Sequence, residues 1–164
     1  MQTRQFFLSG FLAAVSLLNV VSTQAQAAGK TSCVDAVHEA NQTLEEQNGK
    51  PIRNEAALVS LLRALNKDEV LPANYVTSEY AIRQGWSGKA TDSLWKVWVL
   101  NQKSIGGDVV QSAGLAGGGT WYSADLESVR GLRSAKRVIY SPQSATRYLT
   151  SNENSSRVEI APCF

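Results

Sequence analysis

Thr120-Trp-Tyr-Ser-Ala-Asp-Leu126, Arg137-Val-Ile-Tyr-Ser141, Arg147-Tyr-Leu-Thr150 and Arg157-Val-Glu-Ile160 decide how the second half of this chain folds. Each run is short and rich in Val, Ile, Trp, Tyr or Thr. Clusters of Gly, Ser, Asn or Pro separate them, which is the pattern of short strands joined by turns. Leu94-Trp-Lys-Val-Trp-Val-Leu100 has the same composition and reads as one more strand. Upstream of Trp86 the period is different. Ser32 can cap a helix through about Gln47, with Val34, Val37 and Leu44 on one side, and Asn48-Gly49-Lys50-Pro51 stops it. Asn54 can cap a second helix, whose Leu58, Leu61, Leu62 and Leu65 fall at i, i+3, i+4, i+7. Thr77 caps a third, Ser78 to Gln84, closed by Gly85. Helices first and strands afterwards predict an α+β domain, N-terminal helices packed on a C-terminal antiparallel β-sheet.

The chain has 164 residues, 43% of them hydrophobic and 18% charged, with a formal charge of +2. That suits one core and excludes both a polycationic tail and a disordered polyelectrolyte. One histidine and two cysteines exclude a Cys/His zinc cage, so neither a metal nor a cofactor is expected. Gly114 to Gly119 holds four glycines in six residues, a surface loop without the strand-to-helix context of a nucleotide fingerprint.

Residues 1–27 read as an export signal: Arg4, then an uncharged run from Phe6 to Val21, then Ala25-Gln-Ala27 with the small residues a signal peptidase needs. The run is shorter than the roughly 20 residues that span a bilayer. The expectation is a single domain, residues 28–164, secreted to a periplasm or the medium as a monomer without a membrane partner. In an oxidising compartment Cys33 and Cys163 most simply pair, the alternative being two free thiols.

Charge is uneven. Cys33 to Glu69 carries seven acids and four bases, whereas Arg130 to Val158 carries six bases (Arg130, Arg133, Lys136, Arg137, Arg147, Arg157) and one acid, Glu153. A basic stripe on a sheet suits a polyanion. A solvated sheet face with ion pairs is the plainer alternative.

Five blocks, in order, resemble the bacterial extracellular guanyl-preferring ribonucleases, the barnase-like family. Leu71-Pro-Ala-Asn-Tyr-Val-Thr77 with Gly85-Trp86 is similar to L-P-x-N-Y-x-T…G-W. Lys103-Ser-Ile-Gly-Gly-Asp108 matches K-S-I-G-G-D, and Thr120-Trp-Tyr-Ser-Ala-Asp125 resembles T-W-x-E-A-D. Gly131-Leu-Arg-Ser-Ala-Lys-Arg-Val-Ile-Tyr-Ser141 resembles G-x-R-x-x-x-R-I-x-Y-S, and Tyr148-Leu-Thr150 opens the last block. The resemblance implies a helix-then-sheet fold and metal-independent RNA cleavage. A general base takes the ribose 2′-OH proton, the 2′-oxygen attacks phosphorus, and a general acid protonates the leaving 5′-oxygen, giving a 2′,3′-cyclic phosphate.

Position by position, the resemblance implies a phosphate clamp without its proton-transfer groups. The family's base position is Ser123, its acid position Glu153 and its active-site lysine position Ser78. The base-reading loop is replaced by the uncharged Val110-Gln-Ser-Ala-Gly114. Arg133 and Arg137 match the phosphate-binding arginines, whose planar guanidinium offers paired donors to phosphate oxygens. Asp125 matches the acid that fixes them, and Asp108 closes the Gly-Gly-Asp turn. A purely structural ion network of Arg133, Arg137 and Asp125 is the alternative. Glu153, as a carboxylate, is the candidate catalytic residue. Glu127 lies four residues beyond Ser123, and His38 reads as a solvated residue of the first helix. The expected function is RNA-phosphate binding with cleavage weak or lost. The alternative is a non-catalytic module for RNA, another polyanion or an acidic inhibitor-type protein.

Overall fold

The computed structural model describes residues 31–111, 115, 119–153 and 155–164. The expected export signal at 1–27 and most of the 114–119 glycine loop lie outside the described residues. Helix α1 (Cys33–Glu46) starts where Ser32 Oγ accepts from Asp35 N, and α2 (Glu55–Asp68) where Asn54 accepts from Ala57 N. Helix α3 (Ser78–Arg83) is capped by Thr77, and Gly85 follows at φ +107°, a conformation that glycine adopts without strain. The strands are β1 (Tyr75–Val76), β2 (Ser104–Val109), β3 (Tyr122–Asp125), β4 (Arg137–Tyr140), β5 (Arg147–Thr150) and β6 (Val158–Ile160). They form one sheet in chain order, antiparallel except for the parallel β1–β2 pair.

The two long helices pack on one face of that sheet. Leu58, Leu61, Leu62 and Leu65 are all buried, as the stripe predicts. With Val37 and Leu44 of α1 they meet Ala124, Val138, Leu149, Val158 and Ile160. Val34 is 53% exposed instead. The buried stripe of α1 is Cys33, Ala36, Val37, Ala40 and Leu44, and a 3.6-residue turn carries Val34 off it. Near-complete burial of each large apolar side chain contributes about 1.5–3 kcal/mol, so α1 and α2 hold the sheet through their leucines more than through helix propensity.

The disulfide joins Cys33 to Cys163, with Cα atoms 4.8 Å apart and a sequence separation of 130. Thr31 bridges Cys163 alongside it, and Cys33 N donates to Phe164 O. Closing so long a loop stabilises by roughly 4–5 kcal/mol in the chain-entropy model.

Two sequence expectations fail, and both failures have a reason. Leu94–Leu100 is no strand but two 3-10 turns, Leu94–Lys96 and Trp98–Leu100. Leu94 and Leu100 are buried and Val97 packs against them, a period of three, while Trp98 is 86% exposed. Composition suggested a strand, but the spacing of inward residues belongs to a 3-10 turn. Conversely, β2 carries no strand signal in its composition, because Gly106 and Gly107 depress strand propensity. The structure needs both glycines. A Cβ on Gly106 would meet Tyr75 and Leu71 at 2.6 and 2.8 Å, and Gly107 has φ +89° at the bulge before Asp108.

Alternation then assigns the free face. Tyr122 and Ala124, Val138 and Tyr140, Leu149, and Val158 and Ile160 face the helices. Ser123 and Asp125, Arg137 and Ile139, and Tyr148 and Thr150 therefore face the other way, where Trp121, Ile139 and Tyr148 pack together.

Candidate functional site

Register builds the site as two rows across the free face. Asp125 lies opposite Arg137, which lies opposite Thr150. Asp108 lies opposite Ser123, followed by Ile139 and Tyr148. The connection from Leu126 to Lys136 brings Arg133 back over the first row.

There Arg133 grips Asp125 with two parallel bonds, Nε to Oδ2 at 2.7 Å and Nη2 to Oδ1 at 2.9 Å. Arg137 Nε sits 3.2 Å from Asp125 Oδ1, close enough for an ion pair but poorly aligned, so this buried Nε has no hydrogen-bond partner. No hydrogen bond from the Arg137 side chain is found among the described residues. The Asp125 side chain is 1% exposed and the two arginines 16% and 14%. The hydrogen bonds to Asp125, followed by the charges of Asp125, Asp108 and Glu153, raise the Arg133 pKa against the opposing effect of burial. From below, the Tyr75 hydroxyl donates to the Asp125 carbonyl at 3.1 Å. Burial, reinforced by the Asp125 charge, pushes the Tyr75 pKa up to about 12, so it stays a donor.

The other site residues found in the sequence take distinct places. Asp108 accepts from Ser78 N at 2.8 Å and also from the Ser78 hydroxyl, so it anchors the start of α3. Ser123 is 6% exposed in the middle of its row. Glu153 is exposed in the turn after β5, at φ +57°, with its N–H donating to Ala135 O at 3.0 Å. It acts on Arg133 through its charge, and among the described residues it forms no ion pair. Asn154 lies outside the described residues.

The basic stripe does not survive folding as a stripe. Lys136 points away from Arg137 and pairs with Glu127 at 2.5 Å. Glu127 also accepts from Arg53 N and Asn54 N at the start of α2. It is therefore an anchor on another side of the 133–137 segment. Arg147 is 7% exposed on the helix side, donating to the Ser144 and Thr146 carbonyls, and burial lowers its pKa. Arg157 precedes β6 with a buried, unpartnered Nε. His38 pairs with Glu55 at 3.7 Å on the surface of α1. Arg133 and Arg137 are the two cations of the stripe that gather at Asp125, and three carboxylates act on Arg133 through their charge. Anion binding here would rest on directed guanidinium donors rather than on a charge surplus. Tyr75, which supports Asp125, was visible only as the Tyr of Asn74-Tyr75.

No family model matches the chain. A ribonuclease of Heyndrickxia coagulans is 39% identical over 75 residues, covering 43% of this chain and 66% of that protein. Ribonucleases of Bacillus intermedius and Bacillus pumilus are each 39% identical over 75 residues, covering 43% of this chain and 44% of their own length. The match thus spans about two thirds of the first relative and less than half of the other two.

Proposed function

We propose, on the premise that these relatives support a ribonuclease-family protein, that this chain is an exported barnase-like member. It holds RNA phosphates with Arg133 and Arg137 and cleaves RNA weakly or not at all. The observation that carries this reading is the Arg133–Asp125–Arg137 arrangement. One carboxylate holds Arg133 by two hydrogen bonds and Arg137 by an ion pair, and among the described residues the Arg137 guanidinium donates to no protein atom. A phosphate oxygen is the acceptor such a pair fits.

The proton-transfer groups support the second half of the reading. A serine hydroxyl at 123 takes no proton at ordinary pH without a base of its own. Glu153, the remaining carboxylate beside Arg133, can accept the 2′-OH proton. No imidazole faces it to return a proton to the leaving 5′-oxygen, since the chain's one histidine, His38, lies on α1 with Nδ1 3.7 Å from Glu55 of α2. Each missing acid or base step lowers the rate by roughly 10²–10⁴-fold, while the arginines still stabilise charge on the phosphate. A second reading, a module that binds RNA or another polyanion with no cleavage, is favoured by Ser123 lying buried in its row.

Binding and cleavage of the same RNA by one preparation test both. The expected result is salt-dependent binding, lost in Arg133→Ala/Arg137→Ala, with turnover at least about 10²-fold below that of the Bacillus intermedius ribonuclease. Turnover equal to that enzyme, abolished by Glu153→Ala, overturns the weak-cleavage reading. Unchanged RNA affinity in the double arginine variant overturns the clamp.

A further inference from the structure

Two hollows, lined in common by Lys50, Ala135 and Ser151 and by none of Asp125, Arg133 or Arg137, together form one trough. Their volumes are about 540 and 440 Å³. Ala135 lies two residues from both Arg133 and Arg137, and its carbonyl holds Glu153 N. The trough therefore begins at the segment that carries the clamp. It runs past Lys50 to Arg53, both of which come from the connection between α1 and α2.

That connection is held in place. Asn41 Oδ1 accepts from Ile52 N at 2.7 Å, and Asn41 Nδ2 donates to Ile52 O at 3.0 Å. Lys50 N donates to Ser151 Oγ at 3.1 Å, and Glu127 takes Arg53 N and Asn54 N. Every one of these bonds to Lys50 and Arg53 uses the backbone. Both side chains are exposed, and among the described residues neither pairs with a carboxylate. Lys136 and Glu127 cancel each other. With Glu153 at one end, the trough carries a surplus of one positive charge.

We infer that this trough is a track for single-stranded RNA, in which Lys50 and Arg53 take the phosphates that follow the one held by Arg133 and Arg137. The inference rests on the phosphate reading of the clamp. A continuous open groove with cations along it suits a polymer backbone rather than a compact ligand.

The test uses the full, oxidised chain and two probes, a 2′-O-methyl RNA of twelve nucleotides and a 2′-O-methyl dinucleotide, neither of which can form a cyclic phosphate. Lys50→Ala/Arg53→Ala should lower the salt slope of twelve-mer binding by about 1.4, since each single-strand phosphate contact contributes about 0.7. Its loss of affinity should be larger on the twelve-mer than on the dinucleotide. An unchanged twelve-mer slope in this variant, with dinucleotide binding still lost in Arg133→Ala/Arg137→Ala, overturns the track and leaves the clamp standing. Dinucleotide binding that survives the arginine substitutions overturns the clamp itself. An equal slope change on polyglutamate reassigns the trough to acidic protein and overturns the RNA track.

Discussion

Asp125 and Glu127 stand two residues apart, and each takes a cation from the adjacent pair Arg137 and Lys136, yet they build opposite kinds of site. Asp125 is buried on the free face between two guanidiniums and leaves donors over. Glu127 accepts from one ammonium and two backbone N–H groups, and that ammonium also donates to the Pro51 carbonyl. One acid shared by two cations is a holder with spare capacity. One acid fully matched by donors is a fastener, tying the 126–136 connection to the start of α2. Identity of the residue types does not distinguish the two; the ratio of donors to acceptors does.

That contrast can be broken most sharply at Asp125. Asp125→Asn leaves two largely buried guanidiniums without a carboxylate and should destabilise the fold by about 3–5 kcal/mol, read by urea denaturation. A loss below about 1 kcal/mol would place this node with ordinary surface pairs. Glu127→Gln should cost less, about 1–2 kcal/mol at neutral pH, because the Glu127 carboxylate is more exposed than that of Asp125 and the amide still accepts from Arg53 N and Asn54 N.

The same residue gives a pH signature. Burial by itself would raise the Glu127 pKa, but the hydrogen bonds from Lys136, Asn54 and Arg53 and the Lys136 charge hold it below the ordinary 4.5. Its stabilisation is therefore present above pH 4.5 and disappears as pH falls through the lower folded value. The stability gap between the native chain and Glu127→Gln should close over that interval. A gap that widens on acidification would contradict the fastener. The smallest effect belongs to Tyr75→Phe, which removes one bond to the Asp125 carbonyl and should cost about 0.5–1.5 kcal/mol while leaving the Glu127 pH signature in place.

Much of the fold was legible because its signals are local. Ser32, Asn54 and Thr77 cap the helices they were expected to cap, and the leucines of α2 point inward as their spacing requires. Leu94–Leu100 misled because aromatic and β-branched composition outweighed a period of three. Strand β2 was missed because its value to the fold lies in what approaches Gly106 and Gly107, which no local pattern records. The clamp was legible as a motif. The six-cation stripe was not a stripe, because adjacent strand residues such as Lys136 and Arg137 must leave the sheet on opposite sides.

The sequence by itself determined the capped helices, the short strands and the face parity within each strand, since all of these follow from periods and caps a few residues long. Tertiary structure alone decided which cations share a surface. Strand register set Arg137 against Asp125, and the α1–α2 connection, pinned by Asn41, Ser151 and Glu127, brought Lys50 and Arg53 beside a segment some eighty residues further on. Charges meet across such distances only when buried apolar contacts have already fixed the chain, so no count along the sequence foretells them.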